Sequence, residues 1–227
     1  MSDNFRCVAI ETATEHGSVA AANGDDVVLI ELGSSRESSR QIYQSITAAL
    51  SEVSVSLEQL VCIAFGCGPG NFTGLRVAAG AAQALAYARS LPVCRISTLA
   101  ALARAAADKY QLAHVAACLD ARMGEAYLGI YDCTSGDTAR PMQADRLLAP
   151  AEIALEAVPG GLLAAGAGWG LWPDIVSCNT DRIATIDPNI WPKADGVLKL
   201  ARHEYQVGNT VAAHAAIPNY IRDQVTT

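Results

Sequence analysis

The stretch AFGCGPGNFTGLR, at residues 64–76, decides the fold because an apolar run meets a small-residue segment there. The apolar run begins at Val61, and VAAGAAQALAYA follows the stretch at residues 77–88. A continuous apolar run is typical of a buried parallel strand, and an alanine-rich segment without proline is typical of a helix. The stretch therefore predicts a glycine-rich connection between a strand at 61–65 and a helix at about 73–89.

This connection does not match two common phosphate-binding motifs. A P-loop carries a lysine directly after its second glycine, and no lysine follows Gly68 or Gly70. The dinucleotide motif G-x-G-x-x-G would need its third glycine at Thr73. Two interpretations remain open: an anion site formed by Gly68, Gly70 and Thr73 at the helix start, or a tight connection between strand and helix.

The first half of the chain reads as strands alternating with helices. A turn at residues 23–26 joins the second and third strands as a hairpin, and Ser97 with Thr98 caps the third helix. The predicted strands span residues 8–10, 17–22, 27–32, 61–65 and 92–96, and the predicted helices 36–53, 73–89 and 98–109. This outline is found in the lobe of actin, sugar kinases and Hsp70, and also in many other α/β folds.

The second half opens again with strands, which predicts a second α/β lobe. It carries predicted strands at 114–119, 125–131 and 161–165, a short helix from Pro150, a loop at 166–174 and a helix at 192–207. We expect an α/β fold of two lobes, residues 1–104 and 105–227, with a last segment that can pack back on the first lobe.

The composition argues against several classes of protein. Hydrophobic residues make up 51% and charged residues 17% of the 227 positions, and no apolar run is long enough to span a membrane. The amino terminus lacks the organisation of a signal peptide, so we expect a cytoplasmic protein. The net charge of −7 disfavours unaided binding to nucleic acid, which depends on lysine and arginine.

The reactive residues form no recognisable catalytic set. The seven cysteines contain no C-x-x-C pair, and we expect them to be reduced residues of the core. The four histidines lack metal-binding spacing, and no G-x-S-x-G motif occurs, so we expect no metal site and no catalytic residue. The segment LDARMGEAY places Asp120, Arg122 and Glu125 around a turn, where they could form an acid–base pair or an ion-paired hairpin.

Several motifs together resemble the bacterial TsaB family, also called YeaZ. The glycine stretch with its helix, then STLAALA, LDARMGEAY and a terminal PNYIRD, follow the opening IETATEHGSVA in the family's order. This resemblance implies a two-lobed actin-like ATPase fold of the ASKHA, ribonuclease H-like type. It also implies a non-catalytic paralogue of TsaD. With TsaD, TsaE and a separate adenylate-forming enzyme, such a paralogue helps to form N6-threonylcarbamoyladenosine in tRNAs reading codons that begin with adenine.

The resemblance also implies a partner-binding surface on the two helices of the first lobe. In the family this surface forms a heterodimer with TsaD and can form a homodimer. Mapped onto this sequence, it contains Arg36, Arg40, Ile42, Ile46, Phe72, Arg76, Gly80, Ala81, Gln83 and Ala84. The subunit would carry no cofactor of its own, while ATP would be used by the complex. TsaE would be reached through the complex, and tRNA would be contacted only indirectly.

Two residues depart from the family's pattern. Glu11 stands where aspartate is usual, and Cys67 replaces a residue that is commonly arginine, so both changes weigh against an independent anion site. The alternative function is a weak nucleotide-binding ATPase that acts independently; its contacts would be Thr12, Thr14, Gly68, Gly70 and Thr73. A peptidase, an older label in this superfamily, would need a metal site or a nucleophile that the sequence does not show.

Overall fold

Two β-sheets, with helices between them and on their outer faces, make up the fold. The computed structural model describes residues 5–32, 35–158 and 160–221, including the side chains of all of these except 35–40. The strands are β1 (Arg6–Glu11), β2 (Ser18–Asn23), β3 (Asp26–Glu31), β4 (Cys62–Gly68), β5 (Val93–Ser97), β6 (His114–Arg122), β7 (Glu125–Asp132), β8 (Arg140–Pro141), β9 (Arg146–Leu148), β10 (Leu162–Ala165) and β11 (Ile183–Asp187). The helices are α1 (Ser35–Glu52), α2 (Phe72–Arg89), α3 (Thr98–Tyr110), α4 (Gly168–Leu171), α5 (Pro173–Cys178) and α6 (Ala194–Gln206).

The two sheets differ in how their strands pair. The first has the order β3-β2-β1-β4-β5, with an antiparallel meander of β1 to β3 and parallel pairs from β1 through β4 to β5. The second has the order β11-β10-β6-β7-β8, with β9 also paired to β7. Its β10 is parallel to β6 and β11, while β6 and β7 form an antiparallel hairpin.

Three apolar clusters hold the layers together. On the outer face of the first sheet, α1 and α2 bury residues such as Ile46 and Ala78 against Phe65 of β4. Between the sheets, α3 and α6 form a shared core that includes Leu102 and Val197. On the outer face of the second sheet, α4 and α5 form the third cluster with β6, β7 and β10. The helix layer between the sheets therefore joins both halves of the molecule.

The C-terminal arm, residues 207–221, runs along the first sheet and α2. Val211 exchanges two backbone hydrogen bonds of 2.9 Å with Val93 on the edge strand β5. Further along, the Asn219 N–H donates to the Cys67 carbonyl at 2.7 Å. The arm thus reaches the glycine-rich connection at its far end.

The structure confirms the predicted two-lobed α/β fold and corrects parts of it. The predicted loop at 166–174 is wrong, because α4 and the start of α5 occupy it. Gly168 and Gly170 made this segment read as a loop, yet Gly168 packs so closely on Cys118 that a Cβ there would overlap the sulfur. Strands β8, β9 and β11 were not predicted. The predicted boundary between residues 104 and 105 falls inside α3 and stays a prediction.

The cysteines largely follow the expectation from sequence. All seven are free thiols, and six of them are buried. Cys178 at the end of α5 is exposed, so the expectation of a core position is wrong for that residue. Within the described residues, no helix has the length and hydrophobicity needed to cross a membrane.

Candidate partner-binding surface

The start of α2 is capped by Asn71, one residue before the helix begins. Its Oδ1 accepts hydrogen bonds from the N–H groups of Thr73 at 3.0 Å and Gly74 at 3.2 Å. Asparagine is a favourable N-cap because its short side chain reaches these otherwise unpaired donors. The helix begins at Phe72, which confirms the predicted start at about residue 73.

The turn between β1 and β2 packs directly on this helix start. Thr12 donates from Oγ1 to the Gly74 carbonyl at 2.7 Å, and the Asn71 N–H donates to the Ala13 carbonyl at 2.7 Å. A Cβ on Gly74 would overlap the Thr12 carbonyl, so glycine is required for this close approach. The connection thus works as a tight joint between a turn and a helix.

The five residues predicted to contact an anion have different environments at this joint. Thr12 is buried, and its hydroxyl already has a protein partner. The Thr73 N–H is bound by the cap, and Gly68 lies against the Asn219 carbonyl. Thr14 and Gly70 line a cavity of about 570 Å³, together with Asp120 and Arg122 from the β6–β7 hairpin. An anion-binding role for the five residues stays a prediction.

The turn between β6 and β7 is an ion-paired hairpin, as one of the two interpretations from sequence held. Arg122 donates from Nη1 to Asp120 Oδ2 at 3.0 Å, and its N–H donates to Asp120 Oδ1 at 2.7 Å. Arg122, Met123 and Gly124 all have positive φ, an unusual conformation for the two residues with side chains. The Asp120 side chain compensates by fixing the backbone of the turn.

Glu11, one of the two departures from the family's pattern, is buried at the end of β1. Its Oε1 accepts from the Ala13 N–H at 2.7 Å, and its Oε2 accepts from the Thr98 hydroxyl at 3.1 Å. Burial raises the pKa of Glu11 from 4.5 to about 7. A Cβ on Gly66 would overlap this carboxylate, so the hollow beside that glycine accommodates the longer side chain.

Cys67, the other departure, is a buried thiol in β4. Burial raises the pKa of Cys67 to about 11, so the thiol stays protonated near neutral pH. Its carbonyl holds the C-terminal arm through the Asn219 N–H. The residue therefore has a packing role in this structure.

The predicted interface residues divide into exposed and buried groups. Phe72, Arg76, Gly80 and Ala84 are exposed on one side of α2, each a helical turn from the next. Gln83 is half-buried and donates from Nε2 to the Ala216 carbonyl of the C-terminal arm at 3.1 Å. Arg36 and Arg40 belong to α1, but their side chains lie outside the described residues.

Burial corrects the prediction that three of these residues contact a partner. Ile42, Ile46 and Ala81 are all less than 4% exposed, because they pack α1 and α2 onto the first sheet. They can support the helices, but their surfaces are already covered within the chain. Helical spacing correctly predicted that Ile42 and Ile46 lie on the apolar face of α1. The error was to assign that face to a partner.

Aromatic residues that were missed from sequence extend the exposed surface. Tyr87 is 83% exposed near the end of α2, and Tyr43 is 51% exposed on α1. At the other end, the Arg76 guanidinium carbon lies 3.2 Å from the Phe72 ring centroid, and the Tyr220 ring lies 5.9 Å from that of Phe72. Tyr43 could have been found from sequence, since it lies beside Ile42 and off the apolar face.

We refer to Tyr43, Phe72, Arg76, Gly80, Ala84 and Tyr87 as the exposed helix surface. Its centre is made of small residues, and a Cβ on Gly80 would meet nothing within 4 Å. Its ends carry the aromatic side chains of Phe72 and Tyr87. Small residues between aromatic ones let another helix approach closely and bury large rings at both ends. Among the described residues, no group of three or more His, Cys, Asp or Glu could hold a metal ion.

Comparison with known proteins gives one consistent family. Residues 32–167 match the family model described as "TsaD: tRNA N6-adenosine threonylcarbamoyltransferase". The chain is 32% identical over 223 residues to the Escherichia coli tRNA threonylcarbamoyladenosine biosynthesis protein TsaB, covering 97% of this chain and 96% of the relative. It is also 32% identical over 230 residues to the Haemophilus influenzae protein of the same name, covering 98% and 96%.

A solved structure shows the same architecture. The structure titled "YeaZ from Pseudomonas aeruginosa" superposes with a TM-score of 0.85 at 32% sequence identity, covering 95% of this chain and 99% of that chain. Together with the matching family model, this likeness shows the two-lobed, actin-like fold of the ASKHA type. The likeness extends over both sheets and the helices between them.

Proposed function

The chain belongs to the TsaB (YeaZ) family of tRNA threonylcarbamoyladenosine biosynthesis proteins, and we propose that it is the non-catalytic subunit that binds and activates TsaD. The product of the complex would be N6-threonylcarbamoyladenosine in tRNAs reading codons that begin with adenine. ATP would be used by the complex, TsaE would be reached through it, and the protein would act in the cytoplasm. A homodimer through the same helices would compete with TsaD.

The observation that carries this proposal is the exposed helix surface. Arg76, Gly80 and Ala84 form an exposed stripe on α2, which contacts α1, and the exposed rings of Phe72 and Tyr87 at its ends offer large apolar area. Exposed aromatic residues around a small-residue centre are typical of interaction surfaces. Because residues 32–167 of this chain match the family model described as TsaD, we expect TsaD to carry similar paired helices that would fit this surface.

The environment of Glu11 and Thr12 supports a subunit without catalysis. The Glu11 carboxylate is fully buried and engaged by Ala13 and Thr98, while the Thr12 hydroxyl is engaged by Gly74. Polar side chains whose hydrogen bonds are made within the protein in this way hold secondary-structure elements together. The net charge of −7 further supports tRNA binding mainly by partner subunits.

The cavity lined by Thr14, Gly70 and Arg122 favours one second candidate, weak nucleotide binding between the lobes. Its volume of about 570 Å³ is that of a small-molecule site. Calorimetry of the isolated protein with ATP and magnesium tests this candidate. Tight binding accompanied by hydrolysis would put an independent ATPase ahead of the partner subunit.

Charged substitutions on the exposed helix surface test the proposal. Gly80→Arg and Ala84→Arg place a long cation where a partner helix would pack, and both positions are exposed. We expect each to weaken TsaD binding by at least about thirtyfold, as loss of a central contact does. The matched control is Ala154→Arg, at an exposed position of the second lobe, which should bind TsaD like the wild type. Unchanged TsaD binding in both helix variants would contradict the proposed surface.

A further inference from the structure

A cavity of about 580 Å³ lies where β5, β7, α6 and the C-terminal arm meet. Its apolar walls include Ile96, Ala139 and Leu200, and its polar walls include Arg95 and Asp145. An apolar cavity of this size with a few converging polar groups is typical of a small-molecule site. None of the functions argued above uses it.

Asp145 is held in a fixed orientation in the wall of this cavity. Its Oδ1 accepts a hydrogen bond from the Tyr131 hydroxyl, and its Oδ2 accepts one from Ser97 Oγ at 2.7 Å. Each carboxylate oxygen can accept a second hydrogen bond, so both retain capacity for a donor from a ligand. Burial raises the pKa of Asp145, while the hydrogen bonds from Tyr131 and Ser97 oppose this shift.

Two charges around the cavity, Asp137 and Arg140, have partners, whereas within the described residues neither Asp145 nor Arg95 on the same wall forms an ion pair. Asp137 pairs with Lys199 at 3.3 Å, and Arg140 pairs with Asp132 at 2.7 Å. Within the described part of the chain, no ion pair includes Asp145. A half-buried carboxylate without a cation is costly, and a bound cation would offset that cost.

We propose that this cavity binds a small organic molecule through a primary ammonium group that pairs with Asp145, with its aliphatic part against Ile96 and Leu200. An ammonium group donates three hydrogen bonds, which matches a carboxylate whose other bonds come from two hydroxyl donors. An anion would meet the charge of Asp145, and a neutral apolar molecule would leave it uncompensated. The ligand class is therefore an aliphatic amine, either simple or zwitterionic.

The test is an NMR titration of the full chain with three probes that share a four-carbon aliphatic segment. Butylammonium carries the required charge, 5-aminovalerate adds a carboxylate that Arg95 on the same wall could receive, and 1-butanol is neutral. We expect at least one amine to bind and to shift resonances of residues that line the cavity. We expect 1-butanol to bind more weakly. Preference for 5-aminovalerate or for butylammonium distinguishes a zwitterion from a simple amine, and either supports an ammonium site.

Variants distinguish binding of the amine at Asp145 from nonspecific binding. Asp145→Asn keeps the shape and removes the charge, and it should weaken amine binding by about tenfold or more, as loss of a charged hydrogen bond does. Asp181→Asn, at an exposed position outside the cavity wall, is the matched control and should bind like the wild type. Should Asp145→Asn not fold, Tyr131→Phe removes a hydroxyl that orients the carboxylate and should also weaken binding. Absence of amine binding, equal binding of 1-butanol, or unchanged binding in the cavity variants would overturn the proposal.

Discussion

The Thr98 hydroxyl at the start of α3 donates a 3.1 Å hydrogen bond to Oε2 of Glu11, a carboxylate on β1 with no exposed surface. The two residues are 87 positions apart in the chain. Glu11 also accepts from Ala13 in the turn that packs on α2. One carboxylate therefore connects the first sheet, the joint at the start of α2, and the helix between the sheets.

The raised pKa of Glu11 predicts a specific pH dependence of stability. Because the folded pKa of about 7 lies above the ordinary glutamate value of 4.5, the folded state binds this proton more tightly than the unfolded state does. The contribution to stability is therefore full below pH 4.5 and is lost as the pH rises to about 7. The shift corresponds to about 3 kcal/mol of unfolding free energy.

Glu11→Gln isolates this contribution, because the amide keeps the shape and cannot ionise. We expect the variant to gain stability relative to the wild type as the pH rises from 5 to about 7, and the difference to stay constant at higher pH. Urea unfolding of both proteins across this range measures it. Parallel pH profiles for the two proteins would show that Glu11 does not titrate in this range.

The hollow beside Gly66 predicts that substitutions at Gly66 and Glu11 have coupled effects on stability. Gly66→Ala places a methyl group where the Glu11 carboxylate lies, and a buried carboxylate has little room to move. We expect a loss of about 2 kcal/mol of unfolding free energy, typical of overpacking in a core. The loss should be smaller in a Glu11→Asp background, because the shorter side chain withdraws from the methyl. Equal losses in both backgrounds, measured by urea unfolding, would rule out this contact.

The N-cap of α2 predicts unequal effects for two neighbouring polar residues. Asn71→Ala removes the acceptor for two helix N–H groups and should cost about 1 kcal/mol of unfolding free energy. Asn71→Asp should retain most of the stability, and Thr73→Ala should have a smaller effect, since its hydroxyl does not cap the helix. A larger loss for Thr73→Ala than for Asn71→Ala would contradict the assignment of Asn71 as the cap.

The exposure of one thiol predicts a simple labelling pattern. Cys178 is exposed, whereas the other six cysteines are buried, and burial raises the pKa of Cys118 to about 12. Iodoacetamide at pH 8 should therefore modify Cys178 first in the folded protein and all seven cysteines after unfolding. Peptide mass spectrometry locates the adducts, and early modification of Cys67 would contradict the packing described for β4.

Local patterns in the sequence predicted most of the first half of the fold. The apolar run at Val61 indicated β4, and Ser97 was correctly predicted as the N-cap of α3. The hydrogen bond from Thr98 to Glu11 could not be predicted, because nothing near either residue indicates a partner so far along the chain.

The second half was less predictable, since its short elements lack a clear period. Strands β8 and β9 contain only two and three residues, and α4 contains two glycines in four. Asp145 follows β8 in this irregular part, so no pattern indicated its position in a cavity. The exposed helix surface was predicted in part: the helices were found, but Ile42, Ile46 and Ala81 were assigned to the wrong side.

Reconstitution of tRNA modification tests the central claim most directly. Purified TsaD, TsaE and the adenylate-forming enzyme would act on unmodified tRNA with ATP, threonine and bicarbonate, with or without this protein, and mass spectrometry would count the modified nucleoside. The account predicts modification only when this protein is added, with loss in Gly80→Arg and retention in Ala154→Arg. Equal modification without this protein would contradict its role as the required partner of TsaD.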